Sequence, residues 1–118
     1  LVDKDFVFLS GDDATGCEFL TAGGHGVISV TANVVPKQMS QMCEAALAGD
    51  YSKAKEIDQQ IAALHSALFI EPNPVLPKWA LYKMGLIQSA FLRLPLIESE
   101  LDSQNHIEQV MRNSGVLS

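Results

Sequence analysis

Two short apolar runs, Phe6-Val7-Phe8-Leu9 and Val27-Ile28-Ser29-Val30, constrain this chain more than anything else in it. The first is continuous, the pattern of a strand covered on both faces as in parallel sheets, and the second repeats the strand signal. Between them, Asp12 or Asp13 is positioned to cap a helix that runs through Phe19-Leu20 to about Ala22. Gly23-Gly24 supplies residues free to take positive φ and ends it. Strand, helix and strand within about 30 residues form a βαβ unit, so the two strands are expected as parallel neighbours.

From Val35 onward the pattern is helical. Met39, Met42, Cys43, Ala46 and Leu47 share a face, with Gly49 as the stop. Asp50 can cap a second helix with Ala54, Ile57, Ile61, Leu64 and Leu68 on its face, so the two read as an antiparallel hairpin. The segment EPNPVLP, residues 71–77, reads as a rigid extended loop, and Pro77 suits the first turn of a helix carrying Leu76, Trp79, Ala80 and Met84 and stopping at Gly85. After LRLPL, residues 92–96, Asp102 or Ser103 is expected to cap a last helix with Ile107, Val110 and Met111 inward and Gly115 at its end. Two parallel strands followed by four helices do not make a closed layer arrangement, because a lone parallel pair leaves both edges and one face open. Together with the abrupt start, Leu1-Val2-Asp3-Lys4-Asp5 leading almost at once into a strand, this reads as a piece cut from a longer α/β protein.

Composition narrows the function classes. The 118 residues carry 14 acidic against 8 basic side chains, a formal net charge of −6, which argues against a nucleic-acid stripe or a basic membrane surface. Apolar runs fall well short of the roughly 20 residues that span a bilayer, so a cytoplasmic protein is the simplest expectation. Cys17 and Cys43 lie in helical stretches without CxxC spacing or a nearby His, and read as reduced core thiols, not as a metal set or a disulfide.

Candidate reactive groups divide on spacing. Asp12 and Asp13 follow a strand; Asp13 reads as a helix cap, whereas Asp12 is placed equally well to be a polar group at the C-terminal end of a parallel strand, the face where α/β barrels do chemistry. Ser10, Asp12 and His25 contain the residue types of a triad but lack a GxSxG elbow. His65 and His106 lack an HExxH pattern and read as structural or solvent-facing. Gly23, Gly24 and Gly26 do not form GxGxxG, and Lys78 and Lys83 read as solvated helix faces with no mark of a Schiff-base amine. The methionines and Trp79 read as core. The residues by themselves thus reach the C-terminal part of an α/β protein and no particular reaction.

Four stretches carry a resemblance. LSGDDA at 9–14, GGHGVISVTANV at 23–34, EPNPVLPKWALYKMG at 71–85 and LRLPL at 92–96 resemble, in order and spacing, the C-terminal part of the dihydrodipicolinate synthase family, more than relatives such as N-acetylneuraminate lyase. The resemblance implies the last two βα units of a (β/α)₈ TIM barrel over residues 1–48, with Phe6 to Ser10 as strand seven, Val27 to Thr31 as strand eight and Val35 to Ala48 as the following helix. Residues 49–118 would be a helical C-terminal domain. It implies a cofactor-free, Schiff-base lyase that condenses pyruvate with aspartate semialdehyde in lysine biosynthesis. The Schiff-base lysine and the proton-relay residues would lie upstream, so this chain would hold no catalytic residue and would be inactive alone. Carried over residue by residue, Ile28 would present its backbone carbonyl to pyruvate. Gly11 and Asp12 would line the pocket rim, Gly11 by allowing close approach, and Asn73 would stand near the entrance for the second substrate. The implied partners are the missing N-terminal part of the barrel and further copies, a tetramer being common in the family. Two other possibilities stay open: another pyruvate-dependent aldolase, and a non-catalytic helical module that self-associates through its open strand edge.

Overall fold

The computed structural model describes residues 3–118; Leu1 and Val2, at the start of the expected barrel segment, lie outside the described residues. Strand β1 (Leu9–Ser10), helix α1 (Gly16–Thr21) and strand β2 (Gly26–Val27) form the βαβ unit, and a 3-10 turn (Thr31–Asn33) leads out of it. Helices α2 (Pro36–Leu47), α3 (Tyr51–Ala67), α4 (Val75–Lys83) and α5 (Leu101–Asn113) follow. The strands are parallel, with Leu9 opposite Gly26 and Ser10 opposite Val27. Two further bonds extend the ladder, from His25 N to the Phe8 carbonyl (2.9 Å) and from Ile28 N to the Ser10 carbonyl (2.8 Å).

The expected strand over Val27 to Thr31 is shorter than anticipated. Val30 has helical backbone angles (φ −78°, ψ −42°), so the chain turns as it leaves the ladder and Thr31 belongs to the 3-10 turn. The 6–9 run also departs from expectation, since Phe6, Val7, Phe8 and Leu9 are all exposed, as is Ile28. The strands have the composition of covered ones, but no cover for them is found among the described residues.

The helices behave differently. Met39, Met42, Ala46, Ala54, Ile61, Leu64, Leu68, Leu76, Trp79, Ala80, Ile107 and Met111 are buried in one cluster that also takes in Cys17 and Leu20 of α1. The core therefore runs across the expected boundary at 48/49. Helices α2 and α3 pair across a loop of three residues, a connection short enough to require antiparallel neighbours. At its centre Gly49 (φ +84°) takes the left-handed turn, while Asp50 accepts from Lys53 N at 3.2 Å and caps α3 as expected. Leu47 corrects its expected place. It is exposed at the end of α2, the helix having turned its face away by the last residue.

Helix α4 begins at Val75, so Pro77 lies in its first turn and the loop is shorter than 71–77. Helix α5 begins at Leu101 with Glu100 before it, and neither Asp102 nor Ser103 caps it. Instead Gln104 reaches back, its side-chain amide donating to the Ser99 carbonyl and hydroxyl (3.0 Å each). The radius of gyration is 15.5 Å. A compact chain of this length would have about 13.5 Å, so the molecule is more extended than a closed domain.

Candidate functional site

From the β1 end, Ser10 and Asp13 reach the segment leaving β2. Ile28 is anchored through its N–H to the Ser10 carbonyl, which places it across from Gly11 at the C-terminal end of the paired strands. A Cβ added at Gly11 would meet nothing within 4 Å, so the space beside it is open. Asp12 folds back on its own loop. Its backbone N–H donates to Ser10 Oγ (3.1 Å), and its Oδ2 accepts from Thr15 N (3.1 Å) and from the Thr15 hydroxyl. Asp12 is thus exposed at the rim and also closes the loop before α1, whose N-cap residue is Thr15 and which neither aspartate caps.

Asp13 corrects its expected role. It is 3% exposed, and its Oδ2 accepts from Val30 N (2.9 Å) and Thr31 N (3.0 Å), so it ties the β1–α1 loop to the exit of β2. Its Oδ1 has no hydrogen-bond partner among the described residues. Burial pushes the Cys43 thiol's pKa above its ordinary value, and the Asp13 carboxylate adds to that shift. Cys17 is shifted the same way, first by burial and then by Asp58. Both thiols are free, as expected.

The hydroxyl of Thr31, fully buried, meets His65 Nδ1 at 2.8 Å, and His65 Nε2 meets Asp58 Oδ1 at 3.2 Å. A carboxylate can only accept, so the network assigns the proton to Nε2 and leaves Nδ1 to accept from the threonine hydroxyl. His65 is therefore a satisfied structural histidine, one of the two roles its sequence context suggests, while His106 is exposed. His25 takes a different part: its Nδ1 accepts from Phe8 N (2.9 Å). With His25 so engaged and Ser10 bonded to Asp12 backbone, no triad forms from these residues.

Asn73 stands apart from the strand ends. It lines a cleft of about 360 Å³ with Asn33, Pro74, Pro77, Lys78, Leu81 and Ile87. Asn33 connects that cleft to the strand exit, its side-chain amide donating to the Val30 carbonyl (3.1 Å). Lys78, read from sequence as a solvated helix face, is half-buried at the cleft, whereas Lys83 is exposed as expected and also bonds Glu108 (2.9 Å) and lies 5.7 Å from the Trp79 ring centroid. Among the described residues no group of three or more His, Cys, Asp or Glu is arranged to hold a metal ion.

A family model for the dihydrodipicolinate synthetase family matches residues 1–114. The chain belongs to that family. It is 98% identical over 118 residues to a 4-hydroxy-tetrahydrodipicolinate synthase of Pseudoalteromonas atlantica, covering all of this chain and 40% of that protein. It is 52% identical over 117 residues to the synthase of Methylococcus capsulatus, again covering 40% of the relative. Among solved structures, dihydrodipicolinate synthase from Thermotoga maritima superposes with a TM-score of 0.90 at 41% identity, over 96% of this chain and 38% of that one. The chloride-inhibited enzyme from Acinetobacter baumannii, complexed with pyruvate, also gives 0.90 at 41% identity, over 95% and 38%. The chain thus spans about 40% of the length of these relatives, and its fold is the end of a dihydrodipicolinate synthase TIM barrel with the helices that follow.

Within the dihydrodipicolinate synthetase frame, the βαβ unit is a section of barrel wall, and its bare strand faces are those a complete barrel covers. Gly11, Asp12 and Ile28 come together at the C-terminal ends of its strands; Asn73 joins them only indirectly, through Asn33. Sequence reasoning missed the Asp13 tether and the Thr31–His65–Asp58 chain. A signal for half of the latter was present: Asp58 and His65 are seven apart on one helix, hence on one face two turns apart.

Proposed function

We propose that the chain is the C-terminal part of a 4-hydroxy-tetrahydrodipicolinate synthase, a lyase that condenses pyruvate with aspartate semialdehyde on the route to diaminopimelate and lysine. The observation that carries the reading is the 98% identity sustained along the whole chain to a synthase of that name. The pyruvate bound to the A. baumannii relative supports the choice of first substrate. In this reading a lysine supplied by the upstream barrel attacks the pyruvate carbonyl carbon and loses water, and the resulting iminium is an electron sink that lets the methyl carbon become the nucleophile. Residues 1–48 contribute the wall of that pocket and residues 49–118 the appended helical domain.

The roles proposed for this chain are all of placement. The Ile28 carbonyl, at the strand exit, faces pyruvate; Gly11 leaves room for close approach; Asp12 polarises the rim; Asn73 stands near the entrance for the aldehyde. No cofactor enters the scheme. The open strand pair is completed by the N-terminal part of the barrel, and the complete protein is a cytoplasmic homotetramer. The 118-residue chain alone is inactive.

The test is an intact-mass measurement after incubation with pyruvate and borohydride, on the complete synthase and on the 118-residue chain. Reduction of the iminium fixes pyruvate less one oxygen to the lysine. The complete protein is expected to gain that mass and the isolated chain to remain unmodified. A complete protein that stays unmodified, while folded and soluble, overturns the proposal.

A further inference from the structure

Building on the proposed pyruvate site, we infer that Asp13 and the Thr31–His65–Asp58 chain are positioning residues for the Ile28 carbonyl, acting through the backbone of residues 29–31. Among the described residues, the backbone of Ile28 itself is held on one side only, by its N–H to the Ser10 carbonyl. The direction of its carbonyl is decided by the peptide planes that follow, and these depart from strand geometry at once, Val30 already having helical angles. Such a departure beside a ladder needs restraint, and two independent restraints converge on it.

The first comes from the barrel side. Two successive backbone donors, Val30 N and Thr31 N, point at one carboxylate oxygen of Asp13, a pair of charge-assisted bonds that fixes both peptide planes. Burying a carboxylate whose second oxygen finds no partner among the described residues works against stability, so packing does not account for its presence; the geometry it imposes does. The second comes from the appended helices. The fully buried Thr31 hydroxyl is held by His65 on α3, and Asp58, one face and two turns away, holds the imidazole in the tautomer that accepts from it. A helix outside the barrel thereby sets a backbone carbonyl within it.

The experiment uses the complete synthase with Thr31→Val, Thr31→Ser, His65→Phe, the Thr31→Val/His65→Phe double variant and Asp13→Asn, measuring KM for each substrate, kcat, the rate of borohydride-trapped pyruvate adduct, and thermal stability. Thr31→Val and His65→Phe are each expected to raise KM for pyruvate about tenfold and to slow adduct formation, with KM for the aldehyde unmoved, since small misplacements of a binding group are amplified at a reacting centre. The double variant is expected to add nothing to either single change, because both remove the same link. Thr31→Ser, which keeps the hydroxyl, restores the parental KM, and Asp13→Asn, which keeps one acceptor oxygen without the charge, gives a smaller rise. If His65→Phe does not fold, the Thr31→Val and Thr31→Ser pair decides the question. Variants that melt earlier but keep KM for pyruvate within about twofold overturn the inference, as do fully additive effects in the double variant. An unsubstituted synthase that traps no pyruvate overturns the proposed site and this inference together, an outcome distinct from an active parent with unaffected variants.

Discussion

The strand pair and the helices of this chain have similarly apolar sequences and opposite fates. Phe6, Val7, Leu9 and Ile28 are 54%, 60%, 52% and 69% exposed, whereas Met42, Ile61, Leu64, Leu68, Leu76, Ile107 and Met111 are essentially inaccessible. The difference lies in where each element's partners are found. A helix needs one apolar stripe covered, and α2, α3, α4 and α5 supply that cover to one another within a short stretch of chain. A parallel strand needs two neighbours and cover on both faces, and the partners come from other parts of a barrel. Apolar composition marks what is to be buried; it does not say by what.

The comparison can be tested most sharply by truncating one residue in each region of the 118-residue chain. Leu64→Ala is expected to cost about 3 kcal/mol in denaturant unfolding, the loss of a fully buried side chain plus the cavity left behind. Val7→Ala, at an exposed strand position, is expected to change stability by no more than about 0.5 kcal/mol. Equal costs would break the contrast and mean that the strand face is covered, as self-association through the open edge would do. Within the helical region, Asp50→Ala removes the bond to Lys53 N and is expected to cost about 1 kcal/mol, read as a shift in denaturation midpoint without a change in slope.

The smallest effect is expected at Glu108 on α5, which bonds Lys83 at the end of α4 (2.9 Å) and Arg112 one turn along its own helix (2.7 Å). Hydrogen bonds from Lys83 and then Arg112 hold its carboxyl below the usual glutamate range. A depressed carboxylate stabilises the fold above its unfolded-state pKa, and that contribution fades as pH falls through the folded value. Glu108→Gln should therefore lower the melting temperature slightly at neutral pH and low salt, and the difference should vanish in acid and shrink in salt. A difference that persisted in acid would assign the effect to packing instead of charge.

The places where expectation and structure part are instructive. Helix stops at Gly23, Gly49, Gly85 and Gly115 were legible because a positive φ is a local requirement, and all four glycines adopt one. The start of α5 was misread because Ser99, Glu100, Asp102 and Ser103 all offer capping chemistry, and the choice among them was made by Gln104 and by a bond from Glu100 N to Glu71, 29 residues away. Asp13 was misread for the same reason: a carboxylate next to a helix start is a cap by local rules, and only the return of the chain at Val30 and Thr31 gives it another pair of donors. Of the candidate site, the strand-end residues Gly11, Asp12 and Ile28 were legible from pattern and resemblance, while the buried polar chain behind them was not, since Thr31 and His65 are 34 residues apart.

By itself the sequence determined the βαβ unit, the succession of four helices, the apolar faces and the family, because periodicity, capping and motif spacing are local properties of the chain. Tertiary structure alone decided which of two adjacent aspartates stays in its local turn and which ties two loops together, which apolar runs are buried, and that a histidine on α3 reaches the exit of a barrel strand. Those outcomes depend on which donors, acceptors and surfaces arrive from distant parts of the chain to meet a given residue. No local rule contains that information.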